Sequence, residues 1–155
     1  MKKKVILAGG GGLVVLAVVA FMVVGSAGVP KAPPDYTSQR GQESYYSAEL
    51  HYEDLAPFIG NLKGSRSKLF VKVSLTIVYR LGPEIADAKS LFTARKALLA
   101  DRLNMVFGSK GFEEVEGAER RAAIKEELKV QIQSAIFPDK RGRVDDVLYR
   151  EFYVQ

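Results

Sequence analysis

The stretch VKVSLTIVYRL (Val71–Leu81) decides the fold class, because apolar and polar side chains alternate along it with a period of two. Val71, Val73, Leu75, Ile77, Tyr79 and Leu81 fall on one side, and Lys72, Ser74, Thr76 and Arg80 on the other. An extended chain separates residues in this way, so the stretch reads as a half-buried β-strand whose apolar side needs a covering layer. Downstream, Gly82-Pro83 breaks the strand and the period changes from Glu84 onward. Leu91, Phe92, Leu98, Leu99, Leu103 and Val106 recur at three- and four-residue spacing, which predicts one apolar stripe along a helix of about 22 residues ending at Gly108. The loop Ser109–Gly117 carries Phe112 and Val115 as pins to the core. A second helix is predicted over Ala118–Ile136, with Ile124, Leu128, Ile132 and Ala135 or Ile136 as its stripe. Glu119 lies in its first turn, where a negative charge complements the helix dipole. Pro138 stops this helix, a polar turn spans Asp139–Arg143, and VLYREFYV (Val147–Val154) reads as the last strand.

Upstream of the decisive strand, LAPFIGNL (Leu55–Leu62) is another strand candidate, weakened by Gly60 and with Pro57 leaving its start unpaired. SYYSAELHY (Ser44–Tyr52) mixes aromatic and polar residues as an exposed or edge strand does. Two helices packed on an antiparallel sheet make an α+β domain over residues 44–155. Before it, VPKAPPDYTSQRGQ has no apolar periodicity and is rich in proline and polar residues. Residues 29–43 therefore read as a flexible tether, extended by its prolines at about 3 Å per residue.

At the other end of that tether, Val5–Val24 is an uncharged, mostly apolar run that follows Lys2, Lys3 and Lys4 and is closed by Gly25-Ser26-Ala27-Gly28. A helix of this length, at about 1.5 Å per residue, spans the roughly 30 Å hydrocarbon core of a bilayer. Residues 1–28 are thus expected to hold a single membrane span. The three lysines keep its N-terminus cytoplasmic and send the remainder of the chain outward. The rival is a secretory signal cleaved after Ala27, but the apolar run is longer than the roughly 7–15 residues usual for one. Inside the run, Gly9, Gly10, Gly11 and Gly12 each weaken a helix by up to about 1 kcal/mol relative to alanine. Ala8 and Gly12 make a small-xxx-small step, so this face is a candidate for contact with another membrane helix.

Composition narrows the chemistry. With 155 residues, one small domain follows the anchor. The absence of cysteine excludes disulfides, thiolate metal sites and thiol nucleophiles. Setting Lys2, Lys3 and Lys4 aside from the 23 basic residues leaves 20 against 18 acidic ones, and the two signs are interleaved. That pattern does not suit nucleic acid, which selects basic residues gathered on one face with stacking aromatics. His51 is the one histidine and has no nucleophile motif beside it. The acidic pairs Glu53-Asp54, Glu113-Glu114 and Asp145-Asp146 are adjacent in sequence, so their carboxylates point apart and read as solvated charges. The glycine run lacks the Lys-Ser or Lys-Thr that completes a phosphate loop. No catalytic residue, cofactor site, metal site or small-molecule substrate is expected.

In order and spacing, the chain resembles the flagellar basal-body-associated FliL family. The resemblance is carried by the lysine-rich start and single span, the proline-containing linker, LAPFIGNL followed by KVSLTIVYRL, GFEEVEG between two helices, and the ending VDDVLYREFYVQ. It implies a bitopic bacterial inner-membrane protein whose periplasmic domain has an SPFH, or stomatin- and prohibitin-like, fold. It further implies a non-enzymatic role: a homo-oligomeric ring around the stator units (MotA/MotB type) at the basal body, supporting torque, swimming or swarming. The alternative is a membrane-tethered periplasmic stomatin-like scaffold or binding protein with no flagellar role, and an exported enzyme is a third reading. Because aromatics and arginine are enriched at interfaces, Tyr45, Tyr46, His51 and Tyr52 on the first strand, with Arg150 and Phe152 on the last, are expected near subunit contacts.

Overall fold

The computed structural model describes residues 33–64 and 69–155. The expected span Val5–Val24, with Lys2, Lys3, Lys4, Ala8 and Gly9–Gly12, lies outside the described residues. Among the described residues no helix is long and apolar enough to cross a membrane.

The alternating stretch forms the central strand of a fully antiparallel sheet. In chain order the elements are β1 (His51–Asp54), β2 (Phe58–Asn61), β3 (Phe70–Leu81), α1 (Lys89–Ala94), α2 (Lys96–Gly108), α3 (Phe112–Val115), α4 (Ala118–Ile136) and β4 (Gly142–Val154). β1 pairs His51 with Tyr79 and Asp54 with Thr76, and β2 pairs Phe58 with Val73 and Asn61 with Phe70. The two short strands therefore follow one another along one side of β3, and Leu55 N–H to the Leu75 carbonyl, 2.9 Å, continues the ladder between them. Pro57 lies in the interruption, where a missing N–H is tolerated. β4 runs along the other side of β3, from Gly142 opposite Leu81 to Val154 opposite Val71. Reciprocal bonds between Phe70 and Gln155, 2.7 and 3.0 Å, carry the ladder to the last residue.

The inner side of β3 is closed by α2 and α4. Val71, Val73, Leu75, Ile77, Tyr79 and Leu81 join Leu99, Leu103, Val106 and Phe107 of α2 and Ile124, Leu128, Ile132, Ala135 and Ile136 of α4 in one core. Each fully buried aliphatic side chain contributes roughly 1.5–3 kcal/mol, so this layer dominates the stability of the fold. The outer side of β3 is less polar than a period of two implies, because Ser74, Thr76 and Val78 are also buried. A central strand has neighbours on both sides whose side chains cover it. The two buried hydroxyls are satisfied across the ladder, Ser74 donating to Glu151 at 3.2 Å and Thr76 to Asp54 at 2.5 Å.

Several expectations are corrected. Ser44–Tyr52 is not one strand: Glu43–Tyr45 is a 3-10 turn, and the strand begins only at His51. The single helix ending at Gly108 is two helices, with Arg95 in a non-helical conformation between α1 and α2. The break lets the Arg95 guanidinium donate to the carbonyls of Ala135 and Ile136, 2.8 and 2.9 Å, so a cation closes the C-terminal end of α4. The break also changes the phase of the stripe, leaving Leu98 exposed and Phe107 fully buried. Phe112–Val115, expected as loop, is the short helix α3, which makes four described helices where about two were expected. β4 begins at Gly142, five residues before Val147, because the expected polar turn is consumed by pairing of Gly142 and Arg143 with Leu81 and Arg80. Gly60, which weakened LAPFIGNL as a strand, is required by close packing: the Phe58 ring lies 2.5 Å from where its Cβ would stand.

Candidate functional site

Among the described residues the sheet has one side covered by helices and one side without a helix on it, and this open side is the candidate site. Residues directly opposite in an antiparallel ladder share a face, so the outer side of β3 brings its partners outward with it. Ile59 and Tyr153 flank Lys72, Leu148 lies beside Thr76, and Tyr52 lies beside Val78. Tyr52, Ile59 and Tyr153 are 61%, 63% and 56% exposed and Leu148 39%, a concentration of large apolar side chains in solvent. The charges among them are paired in place: Lys72 with Glu151 at 3.5 Å, and Arg150 with Asp54 at 2.9 Å. An apolar face whose charges are already neutralised suits contact with another protein, since docking strips water from rings without stranding an unpaired ion.

Two bulges in β4 shape this face. The register shifts between Ser74 and Leu75 and again between Val78 and Tyr79, leaving Arg150 and Asp145 as the extra residues. At the first bulge Arg150 is freed from the ladder and reaches across β3 to Asp54 and the Leu55 carbonyl. At the second, Asp145 accepts from Arg80 at 2.5 Å and from Arg143 at 2.7 Å. Bulges on a long outer strand also interrupt the row of groups that would otherwise template pairing with another chain.

The six residues singled out in the sequence separate by burial. Tyr52 and Arg150 are exposed on the open side, and His51 is half-buried with its ring stacked on Tyr79 at 5.4 Å. Phe152 points inward, between Phe107 at 6.3 Å and Tyr149 at 5.2 Å, with the Arg121 guanidinium 4.6 Å from its ring centre. Tyr149 beside it is half-buried, and the loss of water around its hydroxyl pushes its phenol up to about 12. Tyr45 and Tyr46 are turned into their own domain, 4% and 8% exposed. Leu148, Tyr153 and Ile59 were not singled out, although each sits opposite a non-core position of β3. The bulge at Arg150 hides this in the sequence: Tyr149 and Phe152 are three residues apart yet both face inward, so a strict period of two misplaces one of them.

The β1–β2 connection, β2, α1 and α2 enclose an apolar groove of about 440 Å³, lined by Leu55, Pro57, Phe58, Phe92, Leu99 and Leu103. Its ionisable lining groups are Glu53, Asp54 and Lys96. Among the described residues no group of three or more His, Cys, Asp or Glu side chains is arranged to hold a metal ion.

Residues 52–155 match the family model described as flagellar basal body-associated protein FliL. The chain belongs to the FliL family. The matched region opens within β1, at Tyr52, and includes the whole of β2, β3, β4 and all four described helices, so the open face lies on the FliL domain itself. No curated protein matches the chain. The FliL description names a flagellar location and an association, not a reaction.

Proposed function

We propose that this FliL-family chain is a flagellar motor accessory protein that assembles as a homo-oligomeric ring around stator units of the MotA/MotB type and supports torque during swimming or swarming. The observation that carries the reading is the FliL match across residues 52–155. In this reading Lys2, Lys3 and Lys4 stay cytoplasmic, Val5–Val24 spans the inner membrane, and the α+β domain works in the periplasm. In the same reading the small-residue stretch Ala8 to Gly12, with Ala8 and Gly12 on one face and Gly9, Gly10 and Gly11 between them, is where the span meets another helix, and the residues after the span tether the domain.

The open sheet face is the natural contact between neighbouring domains. Tyr52 and Arg150 lie on it with Ile59, Leu148 and Tyr153. His51 and Phe152 support this face from behind, and Tyr45 and Tyr46 act through the segment they pin. The role is mechanical: a small, disulfide-free domain offers surface and position, not chemistry. Deleting the gene tests the reading. Impaired swimming in viscous medium or impaired swarming, restored by the wild-type gene, is the expected result. Normal motility under load would overturn it.

A further inference from the structure

The segment Tyr36–Tyr46 precedes the matched FliL region and folds onto the domain largely through side chains. Its backbone hydrogen bonds close within the segment, from the Gln39 and Arg40 amides to Tyr36, from Gln42 to Gln39, from Tyr45 to Gln42 and from Tyr46 to Glu43. Attachment to the domain runs through side chains. Arg40 grips Glu84 with two bonds, 2.8 and 2.5 Å, and the Tyr45 hydroxyl donates to the same carboxylate at 2.5 Å. Glu43 pairs with Arg80 at 2.7 Å and also with Arg143, and both arginines turn to Asp145 as well. The Tyr46 hydroxyl donates to the Lys140 carbonyl at 3.0 Å.

One close approach fixes where the segment lies. The Tyr45 ring rests directly on Gly82, its carbons 2.1–2.3 Å from where a Cβ on that residue would stand. Tyr46 packs edge-on against Tyr45 at 5.1 Å, under the Arg143 guanidinium at 5.2 Å. The docking contacts described for the segment are two tyrosine rings and a ring of ion pairs that stay partly solvated, and a ladder bond, from Ser47 N–H to the Leu81 carbonyl at 2.9 Å, follows directly after it. Such a segment opens at lower free energy than the strands of the core, because opening exposes the two tyrosine rings and breaks partly solvated ion pairs but leaves the sheet and the main core intact.

We propose that Tyr36–Tyr46 is a releasable strap that sets the length of chain between the FliL domain and the segment preceding it. Docked, it fixes the domain's start at Tyr36. Released, residues 36–46 add roughly 35 Å of extended chain at about 3.3 Å per residue. Combined with the membrane anchor proposed above, on which only this last step rests, release lets the domain stand farther from the bilayer. The strap and the domain surface it leaves then become available together.

Hydrogen exchange on the intact chain in lipid nanodiscs tests this. Two variants loosen the strap by different routes: Glu84→Gln removes the shared carboxylate, and Gly82→Ala drives the Tyr45 ring from its seat. The expected result is that amides of Gln39–Tyr46 exchange about tenfold faster or more in both variants, while the β3 amides of Leu75 and Ile77 keep their wild-type rates. Strap amides that keep their wild-type rates, or that quicken only together with those of β3, would overturn the proposal. Loss of the protein from the membrane fraction would instead contradict the anchor and leave the exchange result readable.

Discussion

The two sides of β3 begin from the same eleven-residue alternation and end in different roles. The inner side carries Val71, Val73, Leu75, Ile77, Tyr79 and Leu81 into a core sealed by α2 and α4, while the outer side keeps Lys72 and Arg80 half-buried and borders Tyr52, Ile59, Leu148 and Tyr153 in solvent. Stability resides mainly on one side, and the proposed contact on the other. The lesson is that substitutions should separate cleanly into those that unfold the domain and those that leave it folded but alone.

The largest expected effect is on the inner side. Phe107→Ala empties a fully buried position stacked on Phe58, and should lower the unfolding free energy by about 3–5 kcal/mol in urea titration. A loss under about 1 kcal/mol would mean the helices pack on the sheet differently. Next comes the join between the helical layer and itself: Arg95→Ala leaves the Ala135 and Ile136 carbonyls without their cation, and should cost about 1–2 kcal/mol in the same titration. Recovery of less than half of that by Arg95→Lys would identify the two-carbonyl geometry, not the charge alone, as the stabilising feature. On the outer side, Tyr52→Ala and Tyr153→Ala should each change stability by no more than about 0.5 kcal/mol, because both rings are largely in water. The same pair of substitutions should abolish crosslinked oligomers in membranes; intact oligomers would move the contact elsewhere.

The smallest effect on global stability concerns neither side. Glu84 is held down at about 2, first by the Arg40 hydrogen bond and then by the Tyr45 hydroxyl, while burial of Tyr45 and the Glu84 carboxylate push that phenol up to about 12. A carboxylate with a depressed pKa stabilises the docked form fully above its unfolded value, near 4.5, and loses that contribution as pH falls toward 2. Protection of the Gln39–Tyr46 amides, taken relative to their intrinsic exchange rates, should therefore fall across that acid range in the wild type. In Glu84→Gln that protection should be low at every pH, and a variant retaining the acid step would assign it to another group.

Legibility in the sequence followed locality. β3 and α4 were readable because each repeats one period without interruption, so Val71–Leu81 and Ala118–Ile136 stand where the pattern put them. The break at Arg95 was not readable, since its cause is a pair of carbonyls at the far end of α4. Gln133 was equally silent, although its amide donates to the Phe137 and Gly142 carbonyls and accepts from the Val144 amide, joining α4 to β4. Within the candidate site, Tyr52 and Arg150 were visible as an aromatic and an arginine on strands. Tyr45 and Tyr46 look the same in sequence, but the partners that turn them inward, Gly82, Glu84 and Lys140, are distant along the chain.

This FliL-family domain is proposed to work beside the stators. The most direct measurement is fluorescence microscopy of the functional tagged protein in cells with and without stator proteins. The expected result is foci that coincide with flagellar motors and disperse when the stators are deleted. Protein spread evenly through the envelope in stator-containing, motile cells would contradict it.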